Sequence, residues 1–150
     1  MKGPVLALDV GAKRTGLAIS DEGCIFSFPM ETVDTQKIIL HLEKIIQEKK
    51  PGALVIGIPL NLKSEATQGT PKALQTMEAI RKKFPSITIY EMDERFTSSM
   101  ARQAMVMGGM KKKDREKKEN TDKLSATLIL QSFLEQLARF GWPQVREPNP

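Results

Sequence analysis

A chain of 150 residues, 40% of them hydrophobic, is long enough to bury about two thirds of the surface its unfolded form exposes, and so needs no covalent staples. The single cysteine, Cys24, excludes an internal disulfide, no apolar run approaches the roughly 18 residues of a membrane helix, and no apolar leader opens the sequence, so a cytoplasmic home and no membrane partner are expected. A net charge of +5 suits a polyanionic partner, but equally suits plain solubility.

Residues 4–9 read as a buried strand, followed by strands at 15–20 and 24–31 with turn signals at Gly11-Ala12-Lys13-Arg14 and Asp21-Glu22-Gly23 between them. Turns this short join antiparallel neighbours, which makes the first three strands a meander. Asp34 caps a helix whose Ile38, Leu42 and Ile45, flanked by Ile39 and Ile46, share a face before Pro51 forbids continuation. The unbroken apolar run 53–58 predicts a strand covered on both faces. After a polar loop at 61–69, Thr70-Pro71 opens a helix with Leu74, Met77, Ile80 and Phe84 on one side. A fifth strand at 87–92 and a short helix from Thr97 or Ser98 to Gly108 come next.

The remainder changes character. Residues 108–120 combine glycine with charge and predict a mobile basic loop; within 111–118 six basic residues oppose two acidic ones, a local net of +4. Helical period returns from Thr121, with Asp122, Ala126, Ile129, Phe133 and Leu137 on one face until Gly141, and 142–150 reads as a loosely held tail. The expected fold class is α/β: one domain over 1–150, with an antiparallel meander and parallel crossovers in a mixed five-stranded sheet and helices on both faces.

In such a sheet the first and fourth strands are adjacent and central, and functional groups gather at their ends. Asp9 stands there, where a carboxylate is costly to bury without a use. Asp93-Glu94, just past the fifth strand, and Asp122, in the first turn of the last helix, converge on the same end, and the small Ser125 and Ala126 let that helix approach closely. Grouped carboxylates repel unless a hard cation joins them, and oxygen-only ligands favour Mg²⁺ or Mn²⁺ over zinc. Each acid also has a plainer role: Asp9 as a turn former before Gly11, Asp122 as a complement to the helix dipole, Asp93 and Glu94 as solvated neighbours of Arg95. The single His41 sits within the first amphipathic helix and the single Cys24 in a strand, so neither builds a zinc site or a triad. Lys13 and Arg14 occupy a turn whose Gly11 and Gly16 either admit an anion to backbone amides or serve the hairpin's geometry.

Four stretches resemble, in order, the motif blocks of one family: Leu8-Asp9-Val10-Gly11 through Arg14-Thr15-Gly16-Leu17-Ala18; Val55-Ile56-Gly57-Ile58-Pro59-Leu60-Asn61; Asp93-Glu94-Arg95-Phe96-Thr97-Ser98; and Asp122-Lys123-Leu124-Ser125-Ala126 with Ile129-Leu130-Gln131. The family is YqgF, also called RuvX, the Holliday-junction-resolvase-like proteins. The resemblance spans about residues 4–138 and implies a ribonuclease-H-like fold and a nuclease maturing the 5′ end of pre-16S ribosomal RNA. It further implies Asp9, Glu94 and Asp122 as catalytic and metal-binding acids, with Asp93 the competing choice for the third ligand. One departure stands out: the acid that related nucleases often carry after the fourth strand is replaced by Gly57-Ile58-Pro59.

The expected activity is therefore metal-dependent phosphodiester hydrolysis of RNA. Arg14 and Lys13 hold a phosphate, and Lys111, Lys112, Lys113 and Arg115 supply sequence-independent attraction that fades with salt. Two rivals stay open: a resolvase of four-way DNA junctions, for which a homodimer rather than a monomer is expected, and a non-catalytic RNA-binding module of ribosome assembly.

Overall fold

The structure, a computed structural model, describes residues 3–58, 70–93 and 118–143. Five strands, β1 (Val5–Val10), β2 (Arg14–Ser20), β3 (Ser27–Asp34), β4 (Ala53–Ile58) and β5 (Thr88–Asp93), lie side by side in the order β3-β2-β1-β4-β5. The meander pairs antiparallel, whereas β1–β4 and β4–β5 pair parallel. Between them run α1 (Ile38–Lys49) and α2 (Thr70–Lys83), and α3 (Lys118–Phe140) follows β5 in the chain. The expected mixed α/β architecture is present, with β1 in the middle of the sheet.

Side-chain alternation divides the sheet into two cores. Leu6, Leu8, Val10, Leu17, Leu54, Ile56, Ile58 and Ile89 meet Ile38, Leu42 and Ile45 of α1 and Ala73, Met77 and Ile80 of α2. On the other face Val5, Ala7, Ala18, Ala53, Val55 and Tyr90 meet Ala126, Ile129, Leu130, Phe133 and Leu134 of α3. Being covered on both faces is why β1 and β4 read as unbroken apolar runs. Each fully buried Leu or Ile side chain contributes about 1.5–3 kcal/mol. Alanines on the sheet side of the second core leave room for α3 to lie close.

Several local expectations are corrected. β3 begins at Ser27 rather than at residue 24, because one carboxylate oxygen of Asp21 accepts hydrogen bonds from the Ile25 and Phe26 amides, at 2.8 and 2.7 Å, and takes both out of strand pairing. Cys24 therefore lies in the turn, with φ 58°, and not in a strand. The strand then continues to Asp34, whose side chain accepts from the Gln36 amide at 3.0 Å and so caps a 3₁₀ turn, Thr35–Lys37, ahead of α1. The buried stripe of α2 is centred on Ala73, Met77 and Ile80, which leaves Leu74 exposed. Finally, α3 starts at Lys118, so residues 118–120 of the expected basic loop are helical, and Trp142 of the expected loose tail packs on Tyr90 and Phe133 with ring centroids 5.8 and 6.0 Å apart. The expected helix ending near Gly108, the 61–69 loop and the rest of the basic run lie outside the described residues.

Two ends are set by backbone geometry. Lys50 adopts the left-handed conformation, φ 49° and ψ 56°, and its amide bonds the Ile46 carbonyl, closing α1 before Pro51. Gly141, φ 75°, does the same for α3 by donating to Leu137 at 2.9 Å.

Phe133→Ala is expected to destabilise the fold by about 3–5 kcal/mol in urea titrations, since its buried ring carries the seam between α3 and β5. The amide hydrogen bonds from Phe26 and then Ile25 hold the Asp21 carboxyl below its ordinary value. A carboxyl that titrates lower when folded lends stability that is complete above about pH 4 and lost as pH falls through the folded value. Asp21→Ala is accordingly expected to lower the exchange protection of the Ile25 and Phe26 amides at neutral pH, a difference from wild type that closes under acid.

Candidate active site at the carboxyl end of the central strand

Asp9 is the fifth of six residues in β1 and partly buried. Counting by alternation it continues the row of Val5 and Ala7, so it belongs to the face covered by α3. Its register partners are Gly16 on β2 and Gly57 on β4, with Met92 of β5 one strand further on. A glycine on each side means that no neighbouring strand sends a side chain into Asp9's row. The missing acid after strand four thus has a counterpart in the register: Gly57, which carries no side chain, is the β4 partner of Asp9.

The helix above carries a second unusual group. Ser125 of α3 is 1% exposed, and its Oγ has no hydrogen-bond partner among the described residues. A buried hydroxyl left unpaired costs about 1–3 kcal/mol, a cost that a bound water or ligand oxygen removes. Asp122 stands one helical turn before Ser125, in the stretch of α3 that leads into the buried stripe Ala126, Ile129, Leu130 and Phe133. Asp93 ends β5 in register with Ile58, one step beyond the level of Asp9, Gly57 and Met92. Glu94 lies outside the described residues, as do Lys111, Lys112, Lys113 and Arg115. Among the described residues no three Asp, Glu, His or Cys side chains converge on one point.

The turn between β1 and β2 is built to a tight specification. Gly11 donates to the Arg14 carbonyl at 2.8 Å, and a Cβ on Gly11 would sit 2.5 Å from that same oxygen, so only glycine fits. Lys13 and Arg14 are exposed at its tip. Beneath it lie two buried threonines that the sequence reading did not single out. Thr35 Oγ1 donates to the Gly11 carbonyl at 2.8 Å, and its backbone amide donates to the Lys13 carbonyl at 2.9 Å. With the Thr35 hydroxyl hydrogen so committed, Thr15 Oγ1 donates to Thr35 Oγ1 across 2.9 Å. The signal available in the sequence was the polar pair itself, Thr15 in an apolar strand and Thr35 just after the Asp34 cap.

The arrangement offers a carboxylate near a strand end with a glycine as register partner on each side, an orphan hydroxyl on the covering helix, and two cationic side chains on a tight turn at the same end of β1. Oxygen donors alone suit a hard divalent cation, and cationic turn residues suit a phosphate. No described helix is long and apolar enough to cross a membrane.

Comparison with known proteins agrees with this architecture. A relative from Amoebophilus asiaticus (strain 5a2) is 40% identical over 137 residues, covering 91% of this chain and 97% of its own, and bears the name "Putative pre-16S rRNA nuclease". One of the same name from Phocaeicola vulgatus is 38% identical over 131 residues, covering 87% of this chain and 94% of its own. Among solved structures, Thermus thermophilus RuvC in complex with a Holliday junction substrate superposes with a TM-score of 0.59 at 16% identity, over 93% of this chain and 96% of that one, which establishes a shared ribonuclease-H-like fold. The family model of RuvX, described as Holliday junction resolvase, matches residues 3–136, and the chain belongs to that family.

Proposed function

We propose that this RuvX-family protein is a metal-dependent nuclease that hydrolyses phosphodiester bonds at the 5′ end of pre-16S ribosomal RNA. The observation that carries the reading is Asp9 on the central strand, flanked by Gly16 and Gly57 and covered by a helix with an unsatisfied Ser125 hydroxyl. The relatives' names supply the substrate class.

Asp9, Glu94 and Asp122 would hold Mg²⁺ or Mn²⁺, and the residues present fit such an ion: the donor set is all oxygen, and the orphaned Ser125 Oγ suits a water bound beside it. When bound, a divalent cation polarises the phosphoryl oxygen and lowers the pKa of water. Glu94 is preferred to Asp93 because the register sets Asp93 one residue out of Asp9's row. Lys13 and Arg14 grip a phosphate of the strand being cut and so hold the scissile bond against the acids. The basic run with Lys111, Lys112, Lys113 and Arg115 adds attraction to the RNA backbone. On this reading residues 1–150 act as one nuclease domain in the cytoplasm.

The decisive experiment offers the purified protein, with Mg²⁺ or Mn²⁺, precursor ribosomal RNA and a four-way DNA junction side by side. Metal-dependent trimming of the RNA is expected, and incision of the junction alone would transfer the assignment to a resolvase. Asp9→Asn is expected to lower cleavage by at least about a thousandfold, with RNA affinity within about twofold and the metal-induced rise in melting temperature lost. If neither protein cleaves and neither is stabilised by metal, the chain is an RNA-binding module. Neutralising Lys111, Lys112 and Lys113 together is expected to weaken RNA binding and to reduce the slope of log affinity against log salt by about 2, at about 0.7 per single-strand phosphate contact. An unchanged slope would assign the run to solubility.

A further inference from the structure

We infer that Thr35, backed by Thr15, is the positioning residue of a phosphate-binding turn, and that the backbone amide of Ala12 is part of the phosphate contact. The inference rests on the reading of Lys13 and Arg14 as phosphate ligands and deepens it. Thr35 takes hold of two carbonyls of one short turn, Gly11 through its hydroxyl at 2.8 Å and Lys13 through its amide at 2.9 Å. In a trans peptide the N–H points opposite to the C=O of the same plane. Fixing the Gly11 carbonyl toward Thr35 therefore turns the Ala12 N–H away from it, outward at the exposed tip beside Lys13. No described residue accepts a hydrogen bond from that amide. A rigid outward N–H next to two cationic side chains matches an anionic oxygen better than it matches water alone, because charge-assisted hydrogen bonds to fixed backbone amides involve no reorganisation.

The placement of Thr15 and Thr35 strengthens the argument. Both are buried, at 0% and 3% exposure, and Thr15 alternates onto the sheet face whose buried side chains, Leu8, Val10, Leu17 and Val33 among them, are apolar. Valine has nearly the same shape and would fill either site, but at position 35 it would leave the Gly11 carbonyl without its hydroxyl donor. Two hydroxyls are instead connected in a directed chain, Thr15 to Thr35 to the Gly11 carbonyl, whose end point is the turn. Register adds a further constraint: Thr15 pairs with Val10 and Val33, so the chain ties β1, β2 and the start of the 3₁₀ turn into one unit just beyond Asp9. The turn is thus held at a fixed offset from the carboxylate.

The test measures binding of a short 5′-phosphorylated single-stranded RNA in EDTA, so that affinity is read apart from metal and cleavage, with Thr35→Val, Thr35→Ser and Lys13→Ala compared at matched folded fraction. Thr35→Val is expected to weaken binding about tenfold, the equivalent of one charge-assisted hydrogen bond, with the salt slope unchanged because no charge is lost, while Thr35→Ser, which keeps the hydroxyl, stays within about twofold of wild type. Equal loss in Thr35→Ser and Thr35→Val, or no loss in Thr35→Val, overturns the inference. Should Lys13→Ala weaken binding while Thr35→Val does not, only Thr35's role falls; should Lys13→Ala leave affinity and slope unchanged, the phosphate reading of the turn falls with it. A second measurement needs no variant: titrating inorganic phosphate into the wild-type protein is expected to shift the Ala12 amide resonance before those of Ile25 and Phe26, and an unmoved Ala12 resonance overturns the inference outright.

Discussion

The parallel pairing of β1 with β4, made while β1 is also paired antiparallel with β2, fixes almost everything else in the molecule. It obliges α1 to cross one face of the sheet, and a second helix is then needed to carry the chain from β4 to β5 in the same sense. Once that face is filled by α1 and α2, the other is available to α3. A strand covered on both sides has no solvated face on which to rest a charge. Asp9 stands one residue from the end of the strand, partly buried, where both neighbouring strands contribute glycine.

The environment of Asp9 is thus defined as much by what is missing as by what is present. Gly16 and Gly57 withhold side chains from its row, and small residues along α3 and the sheet bring the helix down to the same level. Where many nucleases of this fold would place another carboxylate after strand four, this chain has Gly57-Ile58-Pro59. Polar groups elsewhere in the fold are the buried Ser125 hydroxyl on α3 and the Thr35 hydroxyl that holds the Gly11 carbonyl of the β1–β2 turn. Packing and polar chemistry are therefore not separate layers here, since the same apolar alternation that buries Leu8 and Val10 also selects the face on which Asp9 stands.

How much of this was legible in the sequence follows from the range of the interactions involved. The strands at 53–58 and 15–20, the helix from Ile38 to Pro51 and the central pairing of the first and fourth strands are written in local hydrophobic period and turn length, so they were readable. The start of β3 was not, because Asp21 captures amides four and five residues ahead, and a competing side-chain hydrogen bond leaves no trace in β propensity. Leu74 misled for a different reason: the α2 stripe turns on Ala73, a residue too small to weigh in a hydrophobic count. Of the candidate residues, Asp9, Asp122 and the Lys13-Arg14 turn stood out by residue type, whereas the Thr15–Thr35 link spans 20 residues and needs the folded register to appear.

The aromatic cluster at the end of α3 has a practical consequence. Trp142 is the sole tryptophan of the chain, and its ring lies 5.8 Å from that of Tyr90 on β5 and 6.0 Å from that of Phe133 on α3. Its fluorescence is consequently a built-in gauge of whether α3 is seated on the sheet. Because α3 covers the face of the sheet on which Asp9 stands, a single optical signal from the far end of the helix reports on whether that cover is in place.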